Sequence, residues 1–330
     1  MKRQATLSPA ESTDAVRSVN VFPLEYVEAV DNDSTRYVVL VRIESRRGAV
    51  GWGECFTLFR EATAATTAFL RSGFTDFLIG EDPLAVERHW RGMNEKSWWY
   101  GHSGGIASFA ISAVDMALWD LKGKILGLNL SQMLGGALAE RLPACASSHP
   151  SAPTIEGMAR ELADHVAAGF QLVKVGFGKK GDANLGTDEA RDTAFVRAAR
   201  EAIGPDAGLC IDVGPRCRWD LPRTVRTARA MAREGITWME DPFAPDRTED
   251  YQALRRAVPE VPIAYGERLY TVEDYRRALE ARLCDVLLID PGRAGGVTGM
   301  SRAIRLAAEH GVAIDAHSFS SAINSAASVH

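Results

Sequence analysis

The chain has 330 residues, with 38 Lys plus Arg against 43 Asp plus Glu for a net charge of −5; 46% of residues are hydrophobic and 25% charged. These are ordinary globular proportions, and the length calls for two domains or one large α/β barrel with an attachment, not a single small core. With no basic stripe to neutralise phosphates, the composition argues against nucleic acid as the main partner and against an anionic membrane surface.

The start, Met1 to Ser18, is polar and does not read as a signal sequence. Apolar residues from Tyr37 to Ile43, followed by a glycine-rich return at Gly48 and Gly51-Trp52-Gly53-Glu54, predict a short antiparallel sheet. Between about Ile106 and Leu126, Ile111, Val114, Met116, Leu118, Leu121 and Ile125 recur at three- and four-residue steps among alanines. This is a helical face, ended by Met133-Leu134-Gly135-Gly136.

Beyond residue 140, short apolar strands alternate with helical stretches rich in Ala, Arg and Glu. The predicted strands are Leu142–Ser147, Gln171–Val175, Leu209–Val213, Ile236–Glu240, Ile263–Glu267, Val286–Asp290 and Ala313–His317. Seven strands separated by helices imply parallel βαβ units covered on both faces. No G-x-G-x-x-G opens any of the helices, which favours a barrel over a doubly wound sheet. The chain thus divides into an α+β unit, residues 1–140, and a (β/α) barrel, residues 141–330. No apolar run approaches the ~18 residues that span a bilayer. The five cysteines (Cys55, Cys145, Cys210, Cys217, Cys284) include no C-x-x-C pair, which predicts reduced thiols in a cytoplasmic protein, with neither disulfides nor a zinc cage.

Charged residues stand at or near the ends of successive strands: Lys174, Asp212, Glu240 with Asp241, Glu267, Asp290 and His317. The C-terminal rim of a (β/α) barrel is where active sites are built, so these side chains should converge on one mouth. Asp212, Glu240 and Glu267 follow one another at spacings of 28 and 27 residues, about one βα unit each. Three clustered carboxylates repel one another unless a cation joins them, and Mg2+ prefers such oxygen ligands. The bland alternative is that each acid pairs with a nearby arginine, such as Arg216, Arg218 or Arg268, or caps the following helix. Asp290 and His317 are again one unit apart; a carboxylate on one imidazole nitrogen raises the basicity of the other and makes a general base. Lys174 approaches from the opposite side of the mouth, and Lys179 and Lys180 read as a solvated loop.

From about Val50 to His317 the sequence resembles the enolase superfamily, and within it the mandelate racemase and muconate-lactonizing group. The resemblance rests on Gly51-Trp52-Gly53-Glu54, Ser112-Ala113-Val114-Asp115-Met116-Ala117-Leu118-Trp119-Asp120 leading to Leu134-Gly135-Gly136, Gly169-Phe170 before Lys174, Met239-Glu240-Asp241-Pro242, Gly266-Glu267, and Gly295-Gly296-Val297-Thr298-Gly299 before His317. It implies a modified TIM barrel, (β/α)7β, beside an N-terminal α+β capping domain. It also implies that Asp212, Glu240 and Glu267 match the Mg2+ ligands and Asp290 and His317 the His/Asp dyad. The shared chemistry is abstraction of the proton next to a carboxylate to give an enediolate; the use of a Lys or His base with Mg2+ in this superfamily is a standing example of tuned acid-base chemistry. Lys174 then polarises the carboxylate.

Two departures from the family pattern matter. Where the family commonly has Lys-x-Lys, this chain reads Lys174-Val175-Gly176, so the second base position is empty and racemisation is disfavoured. Family members also continue past the histidine strand through a final barrel strand; this sequence stops at His330, 13 residues after His317, and the expectation is that further residues supply that strand rather than that the barrel is incomplete. The reading is an acid-sugar dehydratase acting on a small-molecule carboxylate, as a homo-oligomer. A racemase, epimerase or lactone cycloisomerase is the runner-up, and a non-catalytic metal-binding barrel the alternative of another class. The Trp98-Trp99-Tyr100-Gly101-His102 stretch and the loop from Phe22 to Arg36 are candidates to read substrate hydroxyls, although a packed core is the commoner fate of adjacent tryptophans.

Overall fold

A computed structural model of the chain describes residues 14–28, 33–101, 104–179 and 183–330. Three strands, β1 (Val16–Glu28), β2 (Ser34–Ser45) and β3 (Val50–Phe56), pair antiparallel in that order. Along β2, Val39, Val41 and Ile43 are buried at alternate positions, the period-two signature of a sheet with one covered face. The predicted loop from Phe22 to Arg36 is mostly strand: residues to Glu28 extend β1 and Ser34 begins β2.

Helix α1 (Arg60–Phe69) runs through a π-helical turn into α2 (Thr75–Leu78); α3 (Val86–Gly101) and α4 (Ile106–Leu126) follow, then the single turn α5 (Leu130–Met133). Helix α4 stops at Gly127, which takes the left-handed conformation that ends helices. It lies directly on β3. A Cβ on Gly53 would stand 2.1 Å from the Ala113 carbonyl oxygen, and one on Gly51 2.1 Å from that of Ala117. Only glycine permits this approach of strand backbone to helix backbone. Trp98 and Trp99, expected to prefer a core, lie instead on the surface, 62% and 78% exposed; they sit at the C-terminal end of α3 and stack on each other edge to face. His102 lies outside the described residues.

Strands then alternate with helices: β4 (Cys145–Ser148), α6 (Ile155–Ala167), β5 (Leu172–Phe177), α7 (Glu189–Ile203), β6 (Gly208–Val213), α8 (Leu221–Ala232), β7 (Trp238–Glu240), α9 (Thr248–Ala257), β8 (Ile263–Tyr265), α10 (Val272–Glu280), β9 (Val286–Ile289), α11 (Gly296–Glu309), β10 (Ala313–Ala316) and α12 (Ala322–Val329). The seven strands form one curled parallel sheet in which spatial order follows chain order from β4 to β10. That unreversed order belongs to a barrel and not to a doubly wound sheet. β4 and β10 form its two edges among the described residues.

Strand parity separates two apolar layers. Val173, Val175, Leu209, Ile211, Met239, Ile263, Leu287 and Ile289 face the helices and form the main core. Cys210, Trp238, Ala264 and Leu288 fill a small inner cluster with Leu172 and Val286. Residues two apart share a face, so Lys174 and Gly176 follow Leu172 on the inside, Asp212 follows Cys210, Glu240 follows Trp238, and Asp290 follows Leu288. The same periodicity that buries the inner plug delivers the charged groups to one side of it.

The two sheets are joined by buried polar contacts between the sequence motifs of α4 and α11. Asp115 accepts hydrogen bonds from the Thr298 backbone N–H (2.9 Å) and hydroxyl (2.6 Å). Ser112 Oγ accepts from Gly295 and Gly296, and Trp119 Nε1 donates to Thr298 Oγ1. The N-terminus of α11 is thus capped by side chains from another helix. Burial pushes the Asp115 carboxyl up to about 7 despite these donors. All five cysteines are free, and among the described residues no helix is long and apolar enough to cross a membrane.

Candidate active site at the mouth of the curled sheet

The predicted strands are all present, with ends that coincide or are displaced by at most three residues, and the displacements matter at the site. Lys174 is in the middle of β5, and Gly176 is still within that strand, paired in register with Asp212. Asp212 pairs in turn with Glu240. Glu267 lies beyond the end of β8, after Gly266, whose φ of +131° swings the chain away from the sheet. Asp290 and His317 each follow the last residue of their strand.

Lys174 Nζ lies 2.6 Å from Glu240 Oε1, and Trp238 Nε1 donates to the other oxygen at 3.3 Å. Lys179 Nζ lies 3.5 Å from Asp212 Oδ2. His317 bridges two acids, with Nε2 2.9 Å from Glu267 Oε2 and Nδ1 2.7 Å from Asp290 Oδ2. Each of the three carboxylates therefore faces a basic group, and none of these groups is Arg216, Arg218 or Arg268. Arg268 pairs instead with Asp241, at 2.8 Å. Among the described residues no three His, Cys, Asp or Glu side chains stand close enough to share an ion in this arrangement.

The electrostatics follow from burial and crowding. Burial works against the Lys174 ammonium, but Glu240, Asp212 and Glu267 outweigh it and hold its pKa above the ordinary value. Burial, with Asp212 and Glu267 nearby, raises the Glu240 carboxyl in spite of Lys174. Burial alone would depress His317; Glu267 and Asp290 overcome it and push the imidazole up to about 9. The same imidazole, with Arg293, overrides burial and keeps Asp290 below its usual range.

Four residues that sequence reasoning did not assign complete the site. Arg293 donates to the Glu267 carbonyl at 2.9 Å and approaches Asp290 to 3.9 Å. Asn324 Nδ2 donates to Asp290 Oδ1 at 3.1 Å. Glu54, quoted above only as part of a motif, holds the segment after His317. Lys179, read as part of a solvated loop, keeps a third of its side chain in solvent but folds back over Gly176; a Cβ there would lie 2.6 Å from Lys179 Cε and 2.6 Å from the His149 ring. The space above Gly176 is filled, not empty. Lys180 lies outside the described residues. A length-based signal for Lys179 exists only in hindsight: a flexible lysine three residues past a glycine can return to the place the glycine leaves.

Residues 14–135 match the mandelate racemase / muconate lactonizing enzyme N-terminal domain, and residues 157–330 match the enolase C-terminal domain-like family. The chain belongs to the enolase superfamily. Within that superfamily it is similar to a D-galactarolactone cycloisomerase of Agrobacterium fabrum, 32% identical over 88% of this chain and 73% of the relative. It is also similar to a D-mannonate dehydratase of a Caulobacter species, 29% identical over 89% of this chain and 78% of the relative. Among solved structures, a Streptomyces coelicolor racemase with bound magnesium superposes with a TM-score of 0.83 at 26% identity, covering 92% of this chain and 84% of that one. The enolase-superfamily fold is therefore shared along nearly all of the chain.

Proposed function

We propose that this chain is a Mg2+-dependent acid-sugar dehydratase, a hydro-lyase that removes the proton next to a carboxylate and expels the β-hydroxyl. The observation that carries the reading is the His317 imidazole held by Asp290, facing the Lys174 ammonium across the Asp212, Glu240 and Glu267 carboxylates. Residues 1–140 then cap the mouth and residues 141–330 carry the chemistry. Asp212, Glu240 and Glu267 would hold the ion: their donors are all hard carboxylate oxygens, and like charges gathered in this way call for a shared cation. Bound there in place of the present basic partners, Mg2+ would stabilise negative charge developing on the substrate carboxylate.

Lys174, kept as an ammonium by its acidic neighbours, binds the substrate carboxylate and favours the enediolate charge. His317 is fixed through Nδ1 by Asp290 and is an imidazolium while Nε2 is bonded to Glu267. With Glu267 engaged elsewhere, the neutral ring would present Nε2 as the base that takes the α-proton. It then returns that proton to the departing β-oxygen, so that water leaves and the remaining enol becomes a 2-keto acid. A single imidazole performing both transfers requires loss of both groups from one face, a syn elimination. The relatives named for sugar-acid dehydration and lactone isomerisation support a sugar-acid carboxylate as the substrate class.

The test is a panel of aldonates and aldarates incubated with the protein and Mg2+ while 2-keto acid is measured. The reading requires keto acid from at least one member, and none after chelation. A second reading, isomerisation by a racemase, epimerase or lactone cycloisomerase, is favoured by the Lys179 amine above Gly176, a second basic group on the β5 side, away from His317. In D2O, label entering recovered substrate without keto acid supports isomerisation. No turnover and no exchange with any acid would leave a non-catalytic barrel.

A further inference from the structure

Glu54 is a fully buried carboxylate on β3, outside the curled sheet, yet among the described residues the hydrogen bonds it accepts come from the segment that follows His317. Its Oε1 accepts from the Ser320 hydroxyl and from the Ser321 backbone N–H at 3.0 Å. Its Oε2 accepts from the Ser321 hydroxyl and from the Asn324 backbone N–H at 3.4 Å. Ser321 is the N-cap of α12, so the carboxylate also sits at the positive end of that helix. Two neighbours of Glu54 in the N-terminal sheet hold the same segment. The Arg36 guanidinium lies 3.4 Å above the Phe319 ring, and Phe56 meets that ring edge to face at 5.3 Å.

Both ends of this segment converge on Asp290. His317 Nδ1 donates to Oδ2 at 2.7 Å, and Asn324 Nδ2 donates to Oδ1 at 3.1 Å, beside the Gly292 N–H at 2.7 Å. The Asp290 carboxylate is clamped at one oxygen by His317 and at the other by the first turn of α12, and Glu54 sets where that turn stands. A buried charge at an interface adds little stability over a well-packed apolar pair. Its use is to fix one arrangement, and here that arrangement contains the dyad.

We propose that Glu54 is a positioning residue for His317, acting across the two sheets through the N-terminus of α12, Asn324 and Asp290. The proposal rests on the reading of His317 as the acid-base group. Two variants, Glu54→Gln and Asn324→Ala, test it, with Asp115→Asn as the control that loosens the junction of the two sheets at α11, away from His317. Each of the first two should lower kcat by roughly tenfold or more, the scale seen when outer-shell partners are lost, with KM within about twofold, and the control should not. In a His317→Asn background, Glu54→Gln should cost nothing further, because its effect runs through the imidazole.

With 15N-labelled histidine, and His317→Asn to assign the signal, the His317 Nδ1–H resonance should move upfield in Glu54→Gln and stay in place in Asp115→Asn. An unmoved resonance, an additive loss in the His317→Asn background, or an equal loss in the control would overturn the proposal. If the resonance moves as stated but no acid sugar is turned over, the positioning holds and the reaction assigned to it fails. If Glu54→Gln does not fold, the milder Ser321→Ala, which removes one of the four donors, answers the same question.

Discussion

Lys174 pairs with Glu240 while His317 pairs with Glu267 and Asp290, and single substitutions separate the duties proposed for them. His317→Asn can keep one hydrogen bond to Asp290 but removes the titratable ring nitrogen, so kcat for keto-acid formation should fall about 10²–10⁴-fold; unchanged turnover rejects the acid-base role. Lys179 divides the two functional readings. If His317 performs both proton transfers, Lys179→Ala should raise KM and leave kcat nearly intact, because only a cation near the substrate is lost. If the reaction is an isomerisation needing a group on each face, kcat should collapse, and Gly176→Lys added to Lys179→Ala should restore part of it. Spacing made the inner-face residues readable: Lys174, Asp212, Glu240 and Asp290 each lie two positions beyond an apolar residue of the inner plug, and Glu267 and His317 stand one unit further along the same beat. Asn324, Arg293 and Lys179 were not readable. They act through loops and a helix turn whose return to the site depends on tertiary packing that no local period encodes.

At the scale of elements, helix α4 carries the junction. Its strand-facing side requires glycine opposite it: Gly53→Ala puts a methyl against the Ala113 carbonyl, and with backbone on both sides neither can yield as a side chain would. A loss of at least about 1–3 kcal/mol is expected, the range for overpacking, read as a lower midpoint in urea. On the opposite side Asp115 makes the junction pH-dependent. Its pKa is near 7 in the fold, above the ordinary carboxyl value, so the folded state holds its proton longer than the unfolded chain does. The associated stability is complete at pH below about 4 and is lost as pH rises through 7. Asp115→Asn cannot ionise, so its Tm relative to the parent should increase from pH 5 to about pH 7 and level off above it; a constant difference would show that the carboxylate is no burden. The elements themselves were legible because the repeats are regular, with alternation in β2, a three-four step in α4 and seven strand-helix units. What sequence reasoning misjudged was Trp98-Trp99. Hydrophobicity alone puts them inside, but they stand at the end of α3, and burial on that helix goes to Val86, Met93 and their face.

For the molecule as a whole, the parallel sheet gathers acids that destabilise one another, and the N-terminal sheet locks the loop that completes the site. Burial, with Asp212 and Glu267 nearby, raises Glu240 above its ordinary value even with Lys174 at 2.6 Å, so the fold bears an electrostatic cost at this mouth that a structural protein has no reason to carry. A cation that binds the folded chain and not the unfolded one must raise apparent stability by RT ln(1 + [L]/Kd), about 2.7 kcal/mol at a hundredfold excess over Kd. Titrating Mg2+ into the protein should therefore raise Tm continuously through the millimolar range, with Ca2+ as the comparison for a merely ionic effect. Asp212→Asn should abolish the Mg2+ response, while Asp241→Asn, next to the site but committed to Arg268, should retain it. If millimolar Mg2+ leaves Tm unchanged in the parent chain, the three acids are satisfied by Lys174, Lys179 and His317 alone, and the superfamily fold persists here without the metal chemistry proposed for it.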